Sequence, residues 1–563
     1  MSATTVDAVI VGSGPGGATA AEVLTRAGWS VVIVEKGRNH LLDTHSPFNL
    51  RGDFSNDEIK FVYRHFLGPD PLIEPRTFRT GEEEGERSHI GEVNSIPSTV
   101  GGGGVHADGK VPRFREEDFA LKSTYGPIEG AAVEDWPLDY ADLEPFYAEA
   151  ERSVGVAGEA GANPFASWRS GPYPMPPGAS MYGATLSAAA AERVGLHPYP
   201  APTAANSVPY DGRPACNNCG FCAFFGCPIH AKGDPVAMLR RALMTGNAEL
   251  LAETAVCRIL TSGRRATGVE VIGSDRERRT IGARHVVVAG GAIETPRLLL
   301  MSGIEHPLLG RHLMVHFQTF AVGILPERLH THRGRAVTHL HDDAVVVDDQ
   351  ARQVAKEAGL AWMRGGMVEH GGPSLPIMEA KHYPWGPTHK QLMRSSPMRD
   401  HMWAFTMQGE DLPQPTNRVD LDPTIRDVRG LPVARITYRP HRHELVASAH
   451  HGRRLLRVLE EMGATWTTTA TSPLVGPLDR GGEHRDLRQQ VGILSSVPGS
   501  RHVMGTVRMG KDASTSVADC FGRLHGLENV VVCDSSVFVT SAGYGPTLTL
   551  VALAARAAAA MVG

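Results

Sequence analysis

The sequence predicts a mixed α/β fold, and two stretches with a strand–turn–helix pattern carry that prediction. The first begins at Val6, where an apolar run, a glycine turn, an amphipathic helix and a second apolar run follow one another. The second covers residues 285–305, where an apolar strand leads into two glycines and then a helix that we expect to begin around Thr295 and Pro296. Between about residues 313 and 475, short strand-like pieces alternate with Pro, Gly and Asp turns, which predicts an α+β part there.

Length and composition exclude several classes of protein. The chain has 563 residues, of which 42% are hydrophobic and 21% are charged, so a coiled coil, a collagen-like chain and wholesale disorder are disfavoured. The net charge of −5 gives no electrostatic reason to expect nucleic acid as a partner. No basic and apolar leader pattern opens the chain, and Arg556 interrupts the apolar C-terminal run, so we predict a cytoplasmic protein without a membrane span.

The opening motif predicts a dinucleotide site. Its glycines follow the pattern G-x-G-x-x-G at Gly12, Gly14 and Gly17, and Glu35 followed by Lys36 stands at the end of the second predicted strand. The first glycine permits the turn, the second lets the backbone approach a pyrophosphate, and the third lets the helix pack closely on the sheet. The glutamate is placed to accept hydrogen bonds from a ribose diol. The motif alone does not choose between FAD and NAD.

Two later stretches make that choice. They are HVVVAGGAIETPRLLL and the C-terminal stretch, which runs from RHVMGTVRMG to GYGPTLTLVALAARAA. With the opening motif, and in this order, they resemble the glucose-methanol-choline (GMC) family of FAD-dependent alcohol oxidoreductases. The resemblance implies FAD as cofactor and a small-molecule alcohol as substrate, with dioxygen or an electron-acceptor protein taking the electrons.

The resemblance also implies a domain organisation. A Rossmann-like FAD-binding domain is assembled from residues 1–312 and 476–563, and a substrate-binding domain with an antiparallel sheet, residues 313–475, is inserted between them. We expect residues 40–95 to be an excursion over the FAD or a contact surface, and residues 210–235 to form a cysteine loop. Whether the chain forms an oligomer stays open. Further positions expected at the cofactor are Gly101, Gly102, Cys257, Gly291, Asp534, Pro546 and Thr547.

The resemblance assigns the catalytic base to His502. In this family a histidine within an H-x-x-G-T-x-x-M-G stretch removes the hydroxyl proton of the substrate, and HVMGTVRMG matches that stretch. A base is needed because an alcohol is a poor hydride donor until its proton begins to leave.

The second catalytic residue of the family is missing. It is an Asn or His immediately before a proline, and this chain has Gly545 there. Either Tyr544, His316 or His106 supplies the missing hydrogen bond, or the chemistry differs, as in a desaturation or a non-redox elimination. A catalytically silent flavin-bearing protein is a third interpretation, which the intact histidine motif disfavours.

The stretch VGGGGVHADGKVPRF resembles a segment of pyranose and choline oxidases in which a histidine is bonded covalently to the flavin. Counting from Gly101 and Gly102 places that histidine at His106, so a covalent and a non-covalent contact both stay open. Likeness of the cysteine segment to aminoglycoside-pathway oxidases adds to this, and together they favour a sugar, glycoside or polyol-like substrate.

Four of the seven cysteines crowd into one short segment with the spacing C-x2-C-x2-C-x4-C-P. Thiolates at this spacing are able to hold an iron–sulfur cluster or zinc, but the last gap is one residue longer than in a ferredoxin run. We therefore favour a loop of reduced or disulfide-paired cysteines and expect no metal; the four are Cys216, Cys219, Cys222 and Cys227. Solvated surface is likewise favoured over metal binding for the histidine pairs His330/His332, His339/His341 and His450/His451.

Overall fold

The computed structural model describes most of the chain. The described residues are 5–40, 72–84, 89–91, 93–94, 96–220, 222, 226–371, 385–396, 399–471 and 500–563. Most of the excursion predicted at residues 40–95, and the domain boundary predicted at residue 476, lie outside these ranges.

The described residues form seventeen strands and ten α-helices. The strands are β1 (Val6–Val11), β2 (Val31–Val34), β3 (Arg76–Arg79), β4 (His89–Gly91), β5 (Tyr199–Pro200), β6 (Ala248–Leu251), β7 (Ala255–Ser262), β8 (Arg265–Ile272), β9 (Arg278–Val288), β10 (Phe317–Ile324), β11 (His339–His341), β12 (Val368–His370), β13 (Met402–Gly409), β14 (Arg418–Arg426), β15 (Pro432–Thr437), β16 (Trp466–Thr471) and β17 (Val530–Val532). The helices are α1 (Pro15–Arg26), α2 (Leu121–Tyr125), α3 (Tyr140–Val154), α4 (Tyr182–Arg193), α5 (Pro235–Met244), α6 (Gly291–Met301), α7 (Asp349–Glu357), α8 (Pro387–Arg394), α9 (Arg442–Glu461) and α10 (Thr547–Val562).

The first sheet contains the opening motif, as predicted. Strands β6, β2, β1 and β9 lie side by side in parallel, and β17 from the C-terminal stretch adds to β9 in parallel. The N-terminal half of β9 pairs instead with β8 in an antiparallel arrangement, and β8 pairs with β7. The four valine and isoleucine residues of β2 are all buried, as expected for a parallel strand covered on both faces. Helix α1 packs against both α5 and α10 beside this sheet.

Helix α6 begins earlier than the sequence predicts. It starts at Gly291 rather than near Thr295, so Pro296 lies inside the helix, where it has no N–H to donate to the carbonyl of Ala292. The hydroxyl of Thr506 donates a 2.7 Å hydrogen bond to that carbonyl instead. A partner from a distant part of the chain thus satisfies the carbonyl that proline leaves without a backbone donor.

Two further sheets form the α+β part. The second sheet is antiparallel with the order β16-β10-β13-β12-β11-β5, and α9 packs across β10, β13 and β16. The third sheet has the order β14-β15-β3-β4. Strands β3, β4 and β5 come from the N-terminal part of the chain and complete these two sheets, so the division into residues 1–312 with 476–563 and residues 313–475 stays a prediction. Within the described ranges no helix has the length and apolar content needed to cross a membrane.

Candidate active site

The glycine turn after β1 is shaped by two close contacts. A Cβ on Gly12, whose φ is +98°, would lie 2.4 Å from the carbonyl oxygen of Ala289. A Cβ on Gly17 would lie 2.0 Å from the carbonyl oxygen of Gly12, so the helix packs on the turn without room for a side chain. At Gly14, in contrast, nothing lies within 4 Å of the place where a side chain would begin. This open face of the turn lets a ligand approach the backbone at the start of α1.

Glu35 is buried beside this turn and accepts three hydrogen bonds. Its Oε2 accepts from the backbone N–H and the hydroxyl of Ser13, at 3.0 and 2.7 Å, and its Oε1 accepts from the N–H of Gly37 at 2.8 Å. A carboxylate has about four acceptor positions, so one stays open for a ribose hydroxyl. Lys36 is committed elsewhere, because its ammonium lies 2.6 Å from Glu74 and 3.2 Å from Glu294.

A cavity of about 750 Å³ runs from the glycine turn to the second sheet. Most of the residues predicted at the site line it: Gly12, Gly14, Glu35, Lys36, Gly102, His106, Gly291, His502, Asp534, Pro546 and Thr547. The predicted residues that do not line it are Gly17, Gly101, Cys257, His316, Tyr544 and Gly545.

Two of the residues that do not line the cavity, Cys257 and Gly101, make contacts elsewhere in the structure. Cys257 is buried in β7 in a cluster with Ala255 and Ile272, whereas Ala255 and Val256 at the start of this strand line the cavity. The backbone N–H of Gly101 donates to the hydroxyl of Ser13 at 3.0 Å. Gly101 therefore supports the site through Ser13 rather than lining the cavity itself.

The segment that carries His106 lies directly over the glycine turn. Residues Gly102–Val105 form a short 3-10 helix, and a Cβ on Gly102 would lie 3.1 Å from the Cα of Gly14. The ammonium of Lys232 donates to the carbonyls of Val105 and Cys222, at 2.6 and 3.3 Å, which ties this segment to the cysteine loop.

The two C-terminal motifs meet at Asp534. Its Oδ2 accepts from the N–H of Gly291 at 2.9 Å and from the hydroxyl of Thr295 at 2.5 Å, and so joins the end of β17 to the start of α6. Helix α10 begins at Thr547, which lines the cavity. The N–H groups in the first turn of a helix have no partner within the helix and favour negative charge nearby.

His502 is held by a chain of two hydrogen bonds. Its Nδ1 lies 2.9 Å from Nδ1 of His316, whose Nε2 lies 3.0 Å from the carbonyl oxygen of Ser541. A carbonyl only accepts, so Nε2 of His316 carries a proton. Burial lowers the pKa of His316 to about 4, so its ring is neutral and its Nδ1 accepts. Nδ1 of His502 is then the donor, and Nε2 of His502 keeps an unprotonated lone pair at the cavity.

The electrostatics keep His502 neutral. Burial, together with the positive charges of Lys110 and Arg501, holds the pKa of His502 well below its usual value. His316 has a φ of +58°, a left-handed conformation that is uncommon for a residue with a side chain and marks a constrained position. The sequence motif identified His502, but no spacing pattern links it to His316, which lies 186 positions away.

Tyr544, one candidate for the missing second residue, does not line the cavity. Its side chain is buried outside the cavity, and its hydroxyl donates to Oδ2 of Asp342 at 2.9 Å. At Gly545 there is room, since a Cβ would meet only Met367 at 3.7 Å and the carbonyl of Lys110 at 3.8 Å. The absence of a side chain at this position is therefore not forced by crowding.

Sequence reasoning missed a polar array on the cavity wall near His502. The ammonium of Lys110 lies 2.5 Å from Glu369 and 2.8 Å from Asp108. The amide of Gln408 donates to Glu369 at 2.8 Å, and the amide of Gln318 donates to Gln408 at 3.0 Å. All five line the cavity. Asp108 and Lys110 stand in the glycine-rich stretch that carries His106, but Gln318, Glu369 and Gln408 are single polar residues from separate strands, so the sequence contains no signal for them.

The cysteine loop shows no geometry for a cluster. Among the described residues, which include all seven cysteines, none forms a disulfide. No three of the four loop cysteines have their sulfur atoms within 4.8 Å of one another. Burial raises the pKa of the Cys222 thiol to about 12, which disfavours the thiolate that a metal would need.

The prediction of solvated surface is wrong for three histidines. His341, His450 and His451 are buried. His341 belongs to β11 of the second sheet, and the other two lie on the face of α9 that packs against β10 and β13. These three rings therefore lie in the protein interior and not in solvent.

Comparison with known proteins identifies the class to which this fold and site belong. A family model described as GMC oxidoreductase matches residues 188–318, a second model with that description matches residues 413–554, and one described as FAD binding domain matches residues 5–53. The chain belongs to the GMC oxidoreductase family. This confirms the predicted fold, FAD as the cofactor that the family implies, and an enzyme of the alcohol oxidase or dehydrogenase type.

Relatives align over nearly the whole chain. The chain is 29% identical to 2-methyl-1,2-propanediol dehydrogenase of Mycolicibacterium austroafricanum, over 99% of this chain and 95% of that protein. It is 28% identical to paromamine 6'-oxidase of Streptomyces fradiae, over 99% of this chain and 91% of that protein. A solved formate oxidase variant from Aspergillus oryzae shares the fold, with a TM-score of 0.65 at 15% identity over 100% of this chain and 98% of that one.

Proposed function

We propose that the protein oxidises a hydroxyl group of a sugar, glycoside or polyol-like substrate to a carbonyl, with His502 as the general base. The observation that carries the proposal is the bond from His502 to His316, which leaves Nε2 of His502 as a proton acceptor at the cavity. The polar array of Lys110, Glu369 and Gln408 in the same cavity suits a ligand with several hydroxyl groups. The relatives named for a diol and for paromamine also support a hydroxyl donor.

The residues present fit FAD. The open backbone at Gly14 would accept the pyrophosphate, Glu35 has an acceptor position for the ribose, and the Gly102–Val105 segment lies where close backbone approach to a flat ring is possible. FAD held by these residues would supply the acceptor for the α-hydrogen of the substrate, which would leave as a hydride. A covalent bond from His106, which lines the cavity, stays a proposal; after acid precipitation, yellow colour in the protein pellet would support it.

Two histidines of this chain take up and stabilise the proton of the substrate hydroxyl. Nε2 of His502 takes the hydroxyl proton, and the resulting positive ring is stabilised because Nδ1 of His316 accepts its other N–H. His316 therefore acts as a positioning residue that selects the reactive tautomer of His502.

Lys110 is our candidate for the role that Gly545 leaves empty. Burial lowers the pKa of Lys110, but Asp108 and Glu369 together outweigh it and hold the pKa above its usual value, so the ammonium stays charged. Two of its three N–H groups point to these carboxylates, which leaves a third for the substrate oxygen. A charged donor at that place would stabilise the negative charge that develops as the proton leaves.

Anaerobic mixing with a panel of sugars, glycosides, polyols and simple alcohols tests the proposal. We expect a substrate to bleach the absorbance of the oxidised flavin, and His502→Ala to keep the yellow colour but lose bleaching. Lys110→Met should slow bleaching by about 100-fold or more, as expected for the loss of one donor to a developing oxyanion. His306→Ala is the matched control, because the ring of His306 bonds to the carbonyl of Ala513 and does not line the cavity. Bleaching at the wild-type rate in His502→Ala would rule out His502 as the base.

A non-redox elimination or a desaturation on the same fold is the second candidate. Gly545 favours it, since the space beside Met367 is open and no side chain fills it. Substrate conversion without any loss of flavin absorbance would identify the elimination. Exposure of the reduced enzyme to air identifies the electron acceptor. Return of the yellow colour would indicate dioxygen, and its absence would indicate an acceptor protein.

A further inference from the structure

Two histidines and an aspartate converge at the far end of the second sheet. His330 and His332 belong to the loop after β10, and Asp400 belongs to the turn before β13. The ligand atoms of the three side chains all lie within 4.8 Å of one another. Oδ1 of Asp400 lies 3.2 Å from Nδ1 of His332 and 4.0 Å from Nδ1 of His330. Among the described residues this is the one group of three or more metal-ligating side chains so arranged.

The three converging atoms share an unusual property. Nδ1 of His330, Nδ1 of His332 and Oδ1 of Asp400 are all shielded from solvent, and none makes a hydrogen bond within the described chain. Native proteins rarely leave buried polar atoms without a partner. A proton on one ring would at best join that ring to the carboxylate and would leave the other ring unsatisfied. A single cation between the three atoms satisfies all of them.

Contacts that do not use these side chains hold the two loops together. The N–H of Leu329 donates to the carbonyl of Asp400 at 2.6 Å, and the hydroxyl of Thr331 donates to the carbonyl of Arg399 at 2.9 Å. The N–H of Leu325 donates to the carbonyl of His401 at 2.9 Å. The ligand atoms are therefore brought together by the backbone before any ion binds, which reduces the ordering that binding requires.

We propose that His330, His332 and Asp400 bind one zinc ion, or a divalent transition metal of similar preference. Two imidazole nitrogens and one carboxylate oxygen suit this class of metal, and water commonly supplies a fourth ligand. The guanidinium of Arg328 lies 3.8 Å from Oδ2 of Asp400, so the oxygen that it approaches is not the one that faces the histidines.

The role that the position implies is structural. Gln318 lines the FAD cavity, whereas Ile324 at the other end of β10 precedes the histidine loop. Six residues of strand correspond to about 20 Å, too far for the ion to take part in the reaction. The ion joins the ends of β10 and β13, and it does so behind the cysteine loop, because a Cβ on Gly220 would lie 2.9 Å from the carbonyl of His332.

Zinc titration of the tag-free holoenzyme, after chelator treatment and dialysis, tests the site. We expect calorimetry to detect one zinc ion per chain and a higher melting temperature with zinc than without. Loss of a residue that only hydrogen-bonds to a metal ligand already costs about 10- to 100-fold in metal affinity, so His332→Ala and the conservative Asp400→Asn should each weaken zinc binding by at least that factor. Flavin absorbance, measured on each variant, verifies that the protein is folded.

His197→Ala is the matched control, because the ring of His197 pairs with Asp343 at 2.8 Å without a third ligand. It should bind zinc as the wild type does. The proposal is overturned if the wild type binds no zinc, or if His332→Ala and Asp400→Asn bind it normally. Zinc that is lost in Cys219→Ser but kept in His332→Ala would assign the ion to the cysteine loop and would equally overturn it.

Discussion

At the scale of single residues, the reactivity of the site depends on which nitrogen of His502 carries a proton. The bond to His316 places the proton on Nδ1, because the carbonyl of Ser541 already uses the only N–H of the His316 ring. A base with a fixed tautomer needs no reorientation before it accepts the substrate proton. The neutral form of both rings, which burial favours, is therefore part of the mechanism and not a by-product of packing.

The lowered pKa of His502 gives a prediction for the pH dependence of the reaction. A base with a depressed pKa is unprotonated above that pKa and loses activity only as the pH falls through it. We expect kcat/KM to stay constant from neutral pH to below the usual histidine pKa of about 6.5 and then to fall. Stopped-flow measurements of flavin reduction between pH 4 and pH 9 test this pH dependence, with the protein exposed to each pH for only about a few seconds. An acidic limb centred at or above neutrality would contradict it.

Two substitutions of His316 separate positioning from packing. Asn has a carbonyl oxygen that accepts from Nδ1 of His502, whereas Leu does not. His316→Leu should slow flavin reduction by about 100-fold and move the acidic limb to lower pH, because the positive ring of His502 loses its acceptor. His316→Asn should restore part of the rate. Equal rates in the two variants would show that His316 only fills space.

At the scale of secondary structure, helix α6 is supported by a residue outside it. Thr506, from the histidine motif, donates to the carbonyl of Ala292 that Pro296 leaves without a partner. The same helix receives Asp534 at its first turn through Gly291 and Thr295. The C-terminal stretch thus caps and completes a helix that lies more than 200 residues before it in the sequence.

Removal of the Thr506 hydroxyl should destabilise the protein through this helix. Thr506→Val keeps the volume but leaves the buried carbonyl of Ala292 unsatisfied, which costs about 1 to 3 kcal/mol in the free energy of unfolding. Urea denaturation followed by flavin fluorescence measures the loss. In a Pro296→Ala background the backbone N–H of residue 296 bonds to the same carbonyl, so Thr506→Val should cost less there. An equal loss in both backgrounds would show that the hydroxyl acts elsewhere.

The elements that the sequence predicts are those with a local pattern. The strand–turn–helix unit of β1 and α1, the strand before α6 and the position of His502 all follow from contiguous motifs. The sequence predicts the start of α6 too late, because only the folded structure shows the distant hydroxyl of Thr506 that bonds to the carbonyl left without a donor by Pro296. Lys110 and His316 acquire their roles from contacts between distant segments, and no spacing rule describes such contacts.

At the scale of the whole molecule, Arg364 joins three parts of the chain. It is fully buried, donates to Asp118 and to the carbonyl of Ala542, and lies 3.0 Å from Glu410. Burial holds the pKa of Glu410 above its usual value, although Arg364 opposes this shift. The carboxylate of Glu410 therefore depends on the arginine to stay charged in the interior.

Arg364→Met should strongly destabilise the fold. It leaves the carboxylates of Asp118 and Glu410 buried without a cation, which costs about 3 to 5 kcal/mol in the free energy of unfolding at neutral pH. The deficit relative to the wild type should shrink as the pH falls, because protonation removes the buried negative charge. Thermal denaturation at pH 7 and pH 5 compares the two proteins, with Arg352→Met as control, since Arg352 is exposed on α7. A deficit that does not depend on pH would point to lost packing instead.

The pairing of β9 has a consequence for synthesis of the chain. One edge of the C-terminal half of β9 pairs with β17. Residues 286–288 therefore lack their partner on that edge until residues 530–532 have been synthesised. At about 5 to 20 residues per second, the ribosome needs on the order of 10 to 50 seconds to make the intervening segment. During that interval the nascent protein exposes an unpaired edge of valine residues, the kind of surface that attracts other chains. A chaperone that covers this edge, or fast translation of the intervening segment, should therefore increase the amount of active enzyme that a cell obtains.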